Sequence, residues 1–422
     1  MIRARQASPA IFSAAVVLLA ACAGPTQEAK KSVAQLMAAG DYGAAAAAIE
    51  ARRDQYGDSN FVLYELDFGM ALHLAGQYAE SALRFELAER RMDELYTRSV
   101  SRMAGALVAN ENTEEYRGRP HDRALSHLFH ALDCVALGQG DEALVEVRRL
   151  EAFLQERTDS ESNSVAYRDD AFGHYLSALL YEDAGMTDDA RISHDDALRT
   201  YRGYAARYGV SVPDFPFPSR LGADGEVDVL FQLGPAPRLI SVAGSASAAT
   251  PPSASTSAPQ GLAGALMLPF DVAGKIVSAV GDVVLNTAHP EYVQDAFRAR
   301  SAAVDAGAST CRAQIVEDVF AIARLDLAER LSALKARSTA RAALKLAGTV
   351  TGLDATGSEF ADVRSWQTLP SRLLLARLRL PPGERRLTLR YLDASGAEIL
   401  RRERTVVVRP GRRVWVVDKT TE

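Results

Sequence analysis

The chain has 422 residues, of which 48% are hydrophobic and 24% are charged, and its formal net charge is −6. This length allows two or three domains with sizeable cores, which excludes a fold that depends on disulfides. Cys134 and Cys311 are therefore expected as free thiols, with a bridge between them as the alternative. Charge is uneven, because residues 22–200 carry 18 basic and 32 acidic side chains, whereas 364–417 carry 13 arginines and 4 acids. The two parts could attract each other, present opposite surfaces to partners, or simply be solvated.

The first residues have the pattern of a secretion signal. Two arginines within the first five residues precede an apolar run at 11–21, which is too short to span a bilayer as a mature helix. Beyond it, no apolar run is long enough to span a membrane. The motif Leu-Ala-Ala-Cys at 19–22 resembles the lipobox of bacterial lipoproteins.

The lipobox resemblance implies a lipid anchor. Residues 1–21 would be the signal peptide, Cys22 would carry acyl chains such as palmitate, and 22–28 would form a tether. Ala23 stands where lipoproteins retained at the inner membrane have Asp, which implies the outer membrane and a protein that faces the periplasm. The alternative is a cleaved secretory peptide in which the cysteine is incidental.

Helical periodicity extends over residues 29–208 and contains a repeated turn. Gly40, Gly76, Gly138 and Gly185 each separate two predicted helices, and small residues follow on the second helix. Glycine can end a helix in the left-handed conformation, and small residues let antiparallel helices approach closely. The pattern resembles the tetratricopeptide repeat, although the intervals are 36, 62 and 47 residues against about 34 in the regular family. It predicts a degenerate solenoid with an insertion at 99–120, in which 116–156 is the clearest hairpin.

A Pro- and Phe-rich connector at 209–225 leads to a predicted β domain at 226–422. Its predicted parts are two strands at 226–242 around a Gly-Pro turn, a disordered loop at 245–261, a strand at 265–270, helices at 293–304 and 310–347, and strands over 373–417. Arginines alternate with aliphatic residues in the last strands, which predicts a sheet with one buried face and one basic face.

The predicted fold class is therefore α+β. An N-terminal α-helical, tetratricopeptide-like solenoid precedes an antiparallel, sandwich-like β domain with a helical insertion at 293–347. The first strands of this domain must pair with its last, because an isolated hairpin is only marginally stable.

Several segments are together similar to a family of uncharacterised proteobacterial lipoproteins that join tetratricopeptide-like repeats to a C-terminal β domain. They are YRG at 116–118, DR at 122–123, ALVEVRRL at 143–150, the Gly-x-Ala-Pro turn at 234–237 and the run at 361–383. The resemblance implies the architecture and the location, and it brings no established chemistry.

Few residues form a pattern typical of catalysis or metal binding. His127 and His130 share a helix face with a spacing that suits two metal ligands, but no HExxH motif or bridging acid completes a site, and His194 has the same shortcoming. No GxSxG elbow or glycine-rich phosphate loop occurs. We therefore expect no catalytic residues, no metal and no cofactor, with a hydrolase assembled from scattered residues as the alternative.

Partner-binding residues are predicted at two places. One is the join between 116–123 and 146–149, represented by Tyr116, Arg123, Glu146, Arg148 and Arg149. The other is Arg364 with Trp366, because an arginine beside an exposed tryptophan is typical of interface hot spots. The alternative is that Trp366 fills the junction between the insertion helices and the sheet while Arg364 pairs with Asp362.

The predicted function is a lipid-anchored scaffold that binds another envelope protein through its helical repeats. The alternative is a cell-wall accessory lipoprotein that contacts peptidoglycan or anionic lipid through arginines of the β domain, such as Arg377, Arg379 and Arg390. Nucleic acid is excluded as a partner, since the implied anchor places the domains outside the cytoplasm.

Overall fold

The computed structural model describes residues 27–102, 114–159, 167, 169–219, 222–247, 284–350 and 361–422. It has a mixed α+β fold, in which helices form the N-terminal half and sheets dominate the C-terminal part. Cys22 with the signal peptide, the strand predicted at 265–270 and most of the loop predicted at 245–261 lie outside the described residues. In the part described, no helix combines the length and the apolar character needed to cross a bilayer.

The helical half is built from successive helical hairpins. Its helices are α1 (Gln27–Ala39), α2 (Tyr42–Glu50), α3 (Arg53–Tyr56), α4 (Phe61–Leu74), α5 (Tyr78–Arg102), α6 (Pro120–Ala136), α7 (Gly140–Asp159), α8 (Ala171–Asp183) and α9 (Thr187–Tyr208). The four predicted turn glycines follow α1, α4, α6 and α8, and their φ angles lie between 73° and 75°. The glycine turns are thus confirmed, since residues with a Cβ adopt this conformation only at a cost.

The first helix of each main hairpin lies in the interior. Every residue of α4 from Val62 to His73 is buried, and α6 and α8 are buried over most of their length. The second helices α5, α7 and α9 keep an exposed face, on which Leu83, Val145 and Ile192 are 49%, 42% and 51% exposed. The helices therefore form an inner row and an outer row.

Between 222 and 422, the described residues form two four-stranded sheets and a two-stranded pair. Its elements are β1 (Gly225–Leu233), β2 (Arg238–Ser247), β3 (Val284–Val293), β4 (Ser301–Ala306), β5 (Ser309–Arg312), β6 (Gln314–Asp318), α10 (Val319–Val350), β7 (Arg372–Leu380), β8 (Gly383–Leu392), β9 (Glu398–Val408) and β10 (Arg413–Thr420). The first sheet has the order β10-β1-β7-β6, the second sheet has the order β5-β4-β8-β9, and β2 pairs with β3.

The structure corrects the predicted β domain in three respects. The helix predicted at 293–304 is wrong, because β4 pairs with β8, and this pairing outweighs the helix propensity of its alanines. The helix predicted at 310–347 begins only at Val319, after two short strands, where the Asp318 carboxylate accepts a hydrogen bond from the amide of Ala321. The domain is not purely antiparallel, because β10 runs parallel to β1.

The parallel pair has a simple cause. Strands β9 and β10 belong to different sheets, so the turn at Gly411 carries the chain across instead of closing a hairpin. The amide of Gly411 donates to the carbonyl of Asp224, immediately before β1. The prediction that the first strands pair with the last is confirmed, because β1 lies between β10 and β7.

Strand β1 of the first sheet is buried on both faces. Val227, Val229, Phe231 and Leu233 of β1 belong to an apolar cluster shared with the second sheet. The alternate side of β1 faces the helices, and Leu230 joins the core of the helical half. In the first sheet, the face predicted as basic is therefore internal. In the second sheet it is exposed, because the side chains of Arg386 and Arg401 are 75% and 60% exposed. Both remaining cysteines, Cys134 in α6 and Cys311 in β5, are free thiols, as expected.

Candidate functional site

Two of the arginines on the strands predicted to form a basic surface form ion pairs inside the protein. Arg377 in β7 is 9% exposed, and its Nε lies 2.9 Å from Asp228 Oδ1 and 3.3 Å from Glu226 Oε1. The side chain of Arg413 in β10 is fully buried, and it pairs with the same two carboxylates and with Glu182 at the end of α8. The exposed basic face is thus wrong for β7 and β10, because both arginines pair with carboxylates of β1 and Arg413 also pairs with Glu182 of the helical half.

Trp366 lies inside the protein, at 1% exposure. Its ring centroid is 6.0 Å from that of Phe85 and 6.3 Å from that of Phe129, and its Nε1 donates to Thr368 Oγ1 at 2.9 Å. This placement agrees with the structural alternative, since Trp366 packs on Phe85 of α5 and Phe129 of α6 in a core cluster that also includes Val319 and Ile322 of α10. Being buried, the ring is not available to a partner in this conformation.

Tyr116 and Arg364, two residues from separate predicted sites, lie together. The Arg364 guanidinium is 5.5 Å from the Tyr116 ring centroid and is bound by both carboxylate oxygens of Asp362. Arg364 also donates to the carbonyl of Glu114, so it ties the C-terminal part to the helical half. Tyr116 is 5% exposed and donates to Asp122 at 2.6 Å. This pair fastens the two halves together and offers little surface to a partner.

The other predicted residues divide between interior and surface. Glu146 is 4% exposed and faces His127 and His130, whereas Arg149 is exposed over 54% of its side chain. Arg148 is also exposed, and its guanidinium lies 6.0 Å from the Tyr181 ring centroid. Arg123 pairs with Asp93 and lies over the ring of Phe153. The predicted join is therefore not one continuous surface.

A cleft lies beside Arg148, between α7, α8 and α9. Its volume is about 300 Å³, and Tyr181 lines it. Glu151, Asp169, Asp189 and Asp196 contribute carboxylates, whereas His174 and Arg199 are its basic side chains. Ile192, half exposed, adds an apolar surface. The cleft is therefore acidic with one apolar edge.

Hydrogen bonds fix the carboxylates on the floor of the cleft. Glu151 accepts from Tyr181 at 2.9 Å and from Ser193 at 2.5 Å, which links α7, α8 and α9. Asp169 lies 2.6 Å from His174 Nε2 and accepts from Thr200 at 2.6 Å. These side chains are held in place, so the cleft does not need to reorganise in order to bind a cationic group.

The Asp169 and His174 side chains form an ion pair. Burial disfavours the charge of Asp169, but hydrogen bonds from His174 and Thr200 outweigh it and hold the pKa of Asp169 below its usual value. Burial likewise opposes the charge of His174, and Asp169 outweighs it and raises the pKa of His174. The pair therefore favours its charged form. Arg199 pairs with Asp196 at 2.7 Å, so Glu151 and Asp189 leave the cleft negative.

Sequence reasoning missed this cleft. Glu151 and Asp169 lie on different hairpins, and neither stands in a motif. His194, considered as a metal ligand, stacks on Phe217 of the connector with ring centroids 3.9 Å apart. Phe217 of the connector thus packs on α9. The repeat pattern places Tyr181 just before the last turn glycine, and this residue was the one sequence feature that could have pointed to the cleft.

The comparisons supply no further guide to the site. No protein-family model, no curated protein and no solved structure matched this chain. The function must therefore be inferred from the geometry of the chain itself.

Proposed function

We propose that this chain is a lipid-anchored scaffold on the periplasmic side of the outer membrane, and that its helical hairpins bind a basic segment of another envelope protein. The observation that carries the proposal is the acidic cleft of about 300 Å³ between α7 and α9. Arg148 and Arg149 remain exposed beside it and could pair with acids that flank such a segment.

The tetratricopeptide-like interpretation draws support from the close approach of α4 and α5. A Cβ added at Gly69 would lie 3.2 Å from Phe85, and Ser81 donates to the carbonyl of Gly69 at 2.8 Å. Small residues at the crossing and a large residue beside them are typical of such hairpins. The shared cluster of the two sheets likewise supports a sandwich-like arrangement.

The partner segment should contain a lysine or arginine and a neighbouring apolar residue. Its lysine or arginine head group would meet Asp189 and would share Asp196 with Arg199, and the apolar residue would lie on Ile192. A cleft of this volume admits two or three side chains, which is enough to anchor an extended segment but not a folded domain.

Photocrosslinking in cells tests the proposal. A photoreactive residue at Ile192 should give one crosslinked envelope protein, whereas the same residue at Leu83, similarly exposed on α5, should not. Reversing the charge of Asp189 and Asp196 should abolish the crosslink without unfolding the chain. Equal crosslinking from both positions, or crosslinking that survives the reversal, would refute binding in the cleft.

The lipid anchor is tested separately. Replacing Cys22 by alanine should abolish incorporation of radiolabelled palmitate and release the chain from the membrane fraction. Binding to peptidoglycan or anionic lipid through the β domain has less support, because Arg377 and Arg413 are engaged in internal ion pairs.

A further inference from the structure

Four side chains with metal-binding chemistry converge at one point of the helical half, away from the acidic cleft. Glu89 comes from α5, His127 and His130 from one face of α6, and Glu146 from α7. All four are buried, with exposures of 4% for Glu89, His127 and Glu146 and 8% for His130. Three neighbouring helices thus direct two imidazoles and two carboxylates into the interior.

The distances suit a single ion at the centre. His127 Nδ1 lies 2.9 Å from Glu146 Oε2 and 3.4 Å from Glu89 Oε1. His130 Nδ1 lies 3.1 Å from Glu89 Oε2 and 3.4 Å from Glu146 Oε2. A tetrahedral ion with bonds of about 2.0–2.1 Å places neighbouring ligand atoms about 3.3 Å apart. Ligand atoms of Glu89, His127 and Glu146 all lie within 4.8 Å of one another. His130 contacts both carboxylates and would complete the set after a small movement toward the centre.

The individual oxygens are also arranged for an ion. Glu89 Oε1 is buried and has no hydrogen-bond partner among the described residues. Arg149 donates to Glu146 Oε1 at 2.8 Å, which leaves Oε2 to face both histidines. A ligand carboxylate oriented by a hydrogen bond to its second oxygen is common in metal sites.

The two buried carboxylates need positive charge close to them. Two carboxylates buried side by side repel each other, and their transfer from water costs several kcal/mol for each charge. Arg149 compensates one of them only from the surface side. A divalent ion bound by two neutral imidazoles would compensate both, and so would protonation of both histidines.

We propose that Glu89, His127, His130 and Glu146 bind one divalent transition-metal ion, with Zn²⁺ as the preferred occupant. Imidazole nitrogen and carboxylate oxygen together form a ligand set typical of zinc. Zinc binds four such ligands, and its electronic structure imposes no particular geometry on them. With four protein ligands, the site is closed, so its role is to join α5, α6 and α7. The sequence led us to expect no metal, because the two carboxylates lie 38 residues before and 19 residues after His127.

Metal titration of the purified full chain tests the site. After removal of metal with a chelator, Zn²⁺ is added against a chromophoric competitor, and the bound zinc is counted by mass spectrometry. One Zn²⁺ per chain and a rise in the melting temperature are expected, because an ion that binds the folded state stabilises it. Binding of less than one ion per chain at micromolar Zn²⁺ would overturn the proposal and leave protonated histidines as the explanation of the cluster.

Variants show whether the ion sits in this cluster. His127→Asn and Glu89→Gln keep the approximate shape of the side chain and should weaken Zn²⁺ binding at least about 10-fold. Even residues that only hydrogen-bond to a metal ligand change the affinity by about that factor. His289→Asn, on β3 and outside the cluster, is the matched control and should bind like the wild type. Unchanged affinity in a folded His127→Asn protein would overturn the assignment.

Cobalt provides a readout that needs no variant. Co²⁺ bound by four protein ligands should give the intense visible absorption of a tetrahedral site. A weak spectrum typical of octahedral Co²⁺ would contradict the proposal even if the variants fail to fold. Since Ile192 and the cleft take no part in this site, failure of either proposal leaves the other untouched.

Discussion

Arg377 Nε and Asp228 Oδ1 lie 2.9 Å apart on neighbouring strands, and both side chains are buried where the first sheet meets the helices. A charge in this position is stable only with its partner, because the interior screens it poorly. Arg377 also lies 5.2 Å from the ring centroid of Phe215, so the connector covers the ion pair.

Removal of this arginine should destabilise the whole chain. Arg377→Met leaves Asp228 and Glu226 with less compensation, and the free energy of unfolding should fall by about 3 kcal/mol, the usual cost of breaking a buried pair. Arg386→Met is the matched control, since Arg386 and its partner Glu403 are 75% and 60% exposed and should contribute less than about 1 kcal/mol. Urea unfolding followed by circular dichroism measures both, and equal losses would contradict the buried role.

Trp366 should act as the main apolar anchor between the two halves. Trp366→Ala removes a buried ring and should lower the free energy of unfolding by about 3–5 kcal/mol. The chain has two tryptophans, so Trp415→Phe isolates the emission of Trp366. We expect blue-shifted fluorescence that iodide barely quenches until the chain unfolds. Strong quenching of the folded protein would show that the ring is exposed.

Lys419 should make stability increase with pH. Burial lowers the pKa of its ammonium from the ordinary 10.5 to about 7, although Nζ donates to the carbonyls of Thr368 and Leu369. Between these two pKa values the unfolded chain binds a proton that the folded chain lacks, so the free energy of unfolding rises with pH. The dependence should be visible from pH 7 to about 9, before the tyrosines of the unfolded chain, with pKa values near 10, ionise appreciably.

The matched comparison for Lys419 uses two methionine variants. Lys419→Met should flatten the pH dependence, whereas Lys335→Met, at an exposed position of α10, should retain it. Urea unfolding at half-unit steps of pH provides the measurement. An unchanged slope in Lys419→Met would rule out this lysine as the source.

Glu317 should be a site where removal of a charge stabilises the fold. It is 1% exposed, and burial, with Asp170 and Asp318 nearby, holds its pKa well above the usual value. The folded chain therefore keeps a proton that the unfolded chain releases above about pH 4.5, and stability falls as the pH rises.

Glu317→Gln tests this directly. The variant should be more stable than the wild type at pH 8, and the difference should shrink toward pH 5. Glu329→Gln, on an exposed pair with Arg207, should change stability by less than about 1 kcal/mol. A destabilised Glu317→Gln protein would mean that the carboxylate is needed in its charged form.

The helical turns could be predicted because their cause is local. A glycine with positive φ ends a helix whatever lies beyond it, so Gly76 and Gly138 marked their hairpins correctly. The strands over 373–417 could be recognised for the same reason, since alternation is visible within a few residues.

The buried basic face could not be predicted, because alternating arginines look the same whether water or carboxylates face them. The partners of Arg413 lie about 190–230 residues earlier in the chain, at Glu226, Glu182 and Asp183. The acidic cleft could not be predicted for the same reason, because α7 and α9 each supply only part of its lining. Both features depend on which surfaces meet, and the local pattern does not contain that information.

The parallel pairing of β1 with β10 also determines when the sheet can form. Glu226 and Arg413 are 187 residues apart in the chain, so β1 waits unpaired on one side until residues 413–420 have been synthesised. Contacts within the helical hairpins are local and can form early, whereas this closure comes last. One face of β1 is apolar, and the other carries the charges of Glu226 and Asp228. Until β10 is available, these charges disfavour pairing of β1 with other chains. Glu226 and Asp228 thus stabilise the finished sheet through Arg413 and also disfavour aggregation of β1 before the sheet is complete.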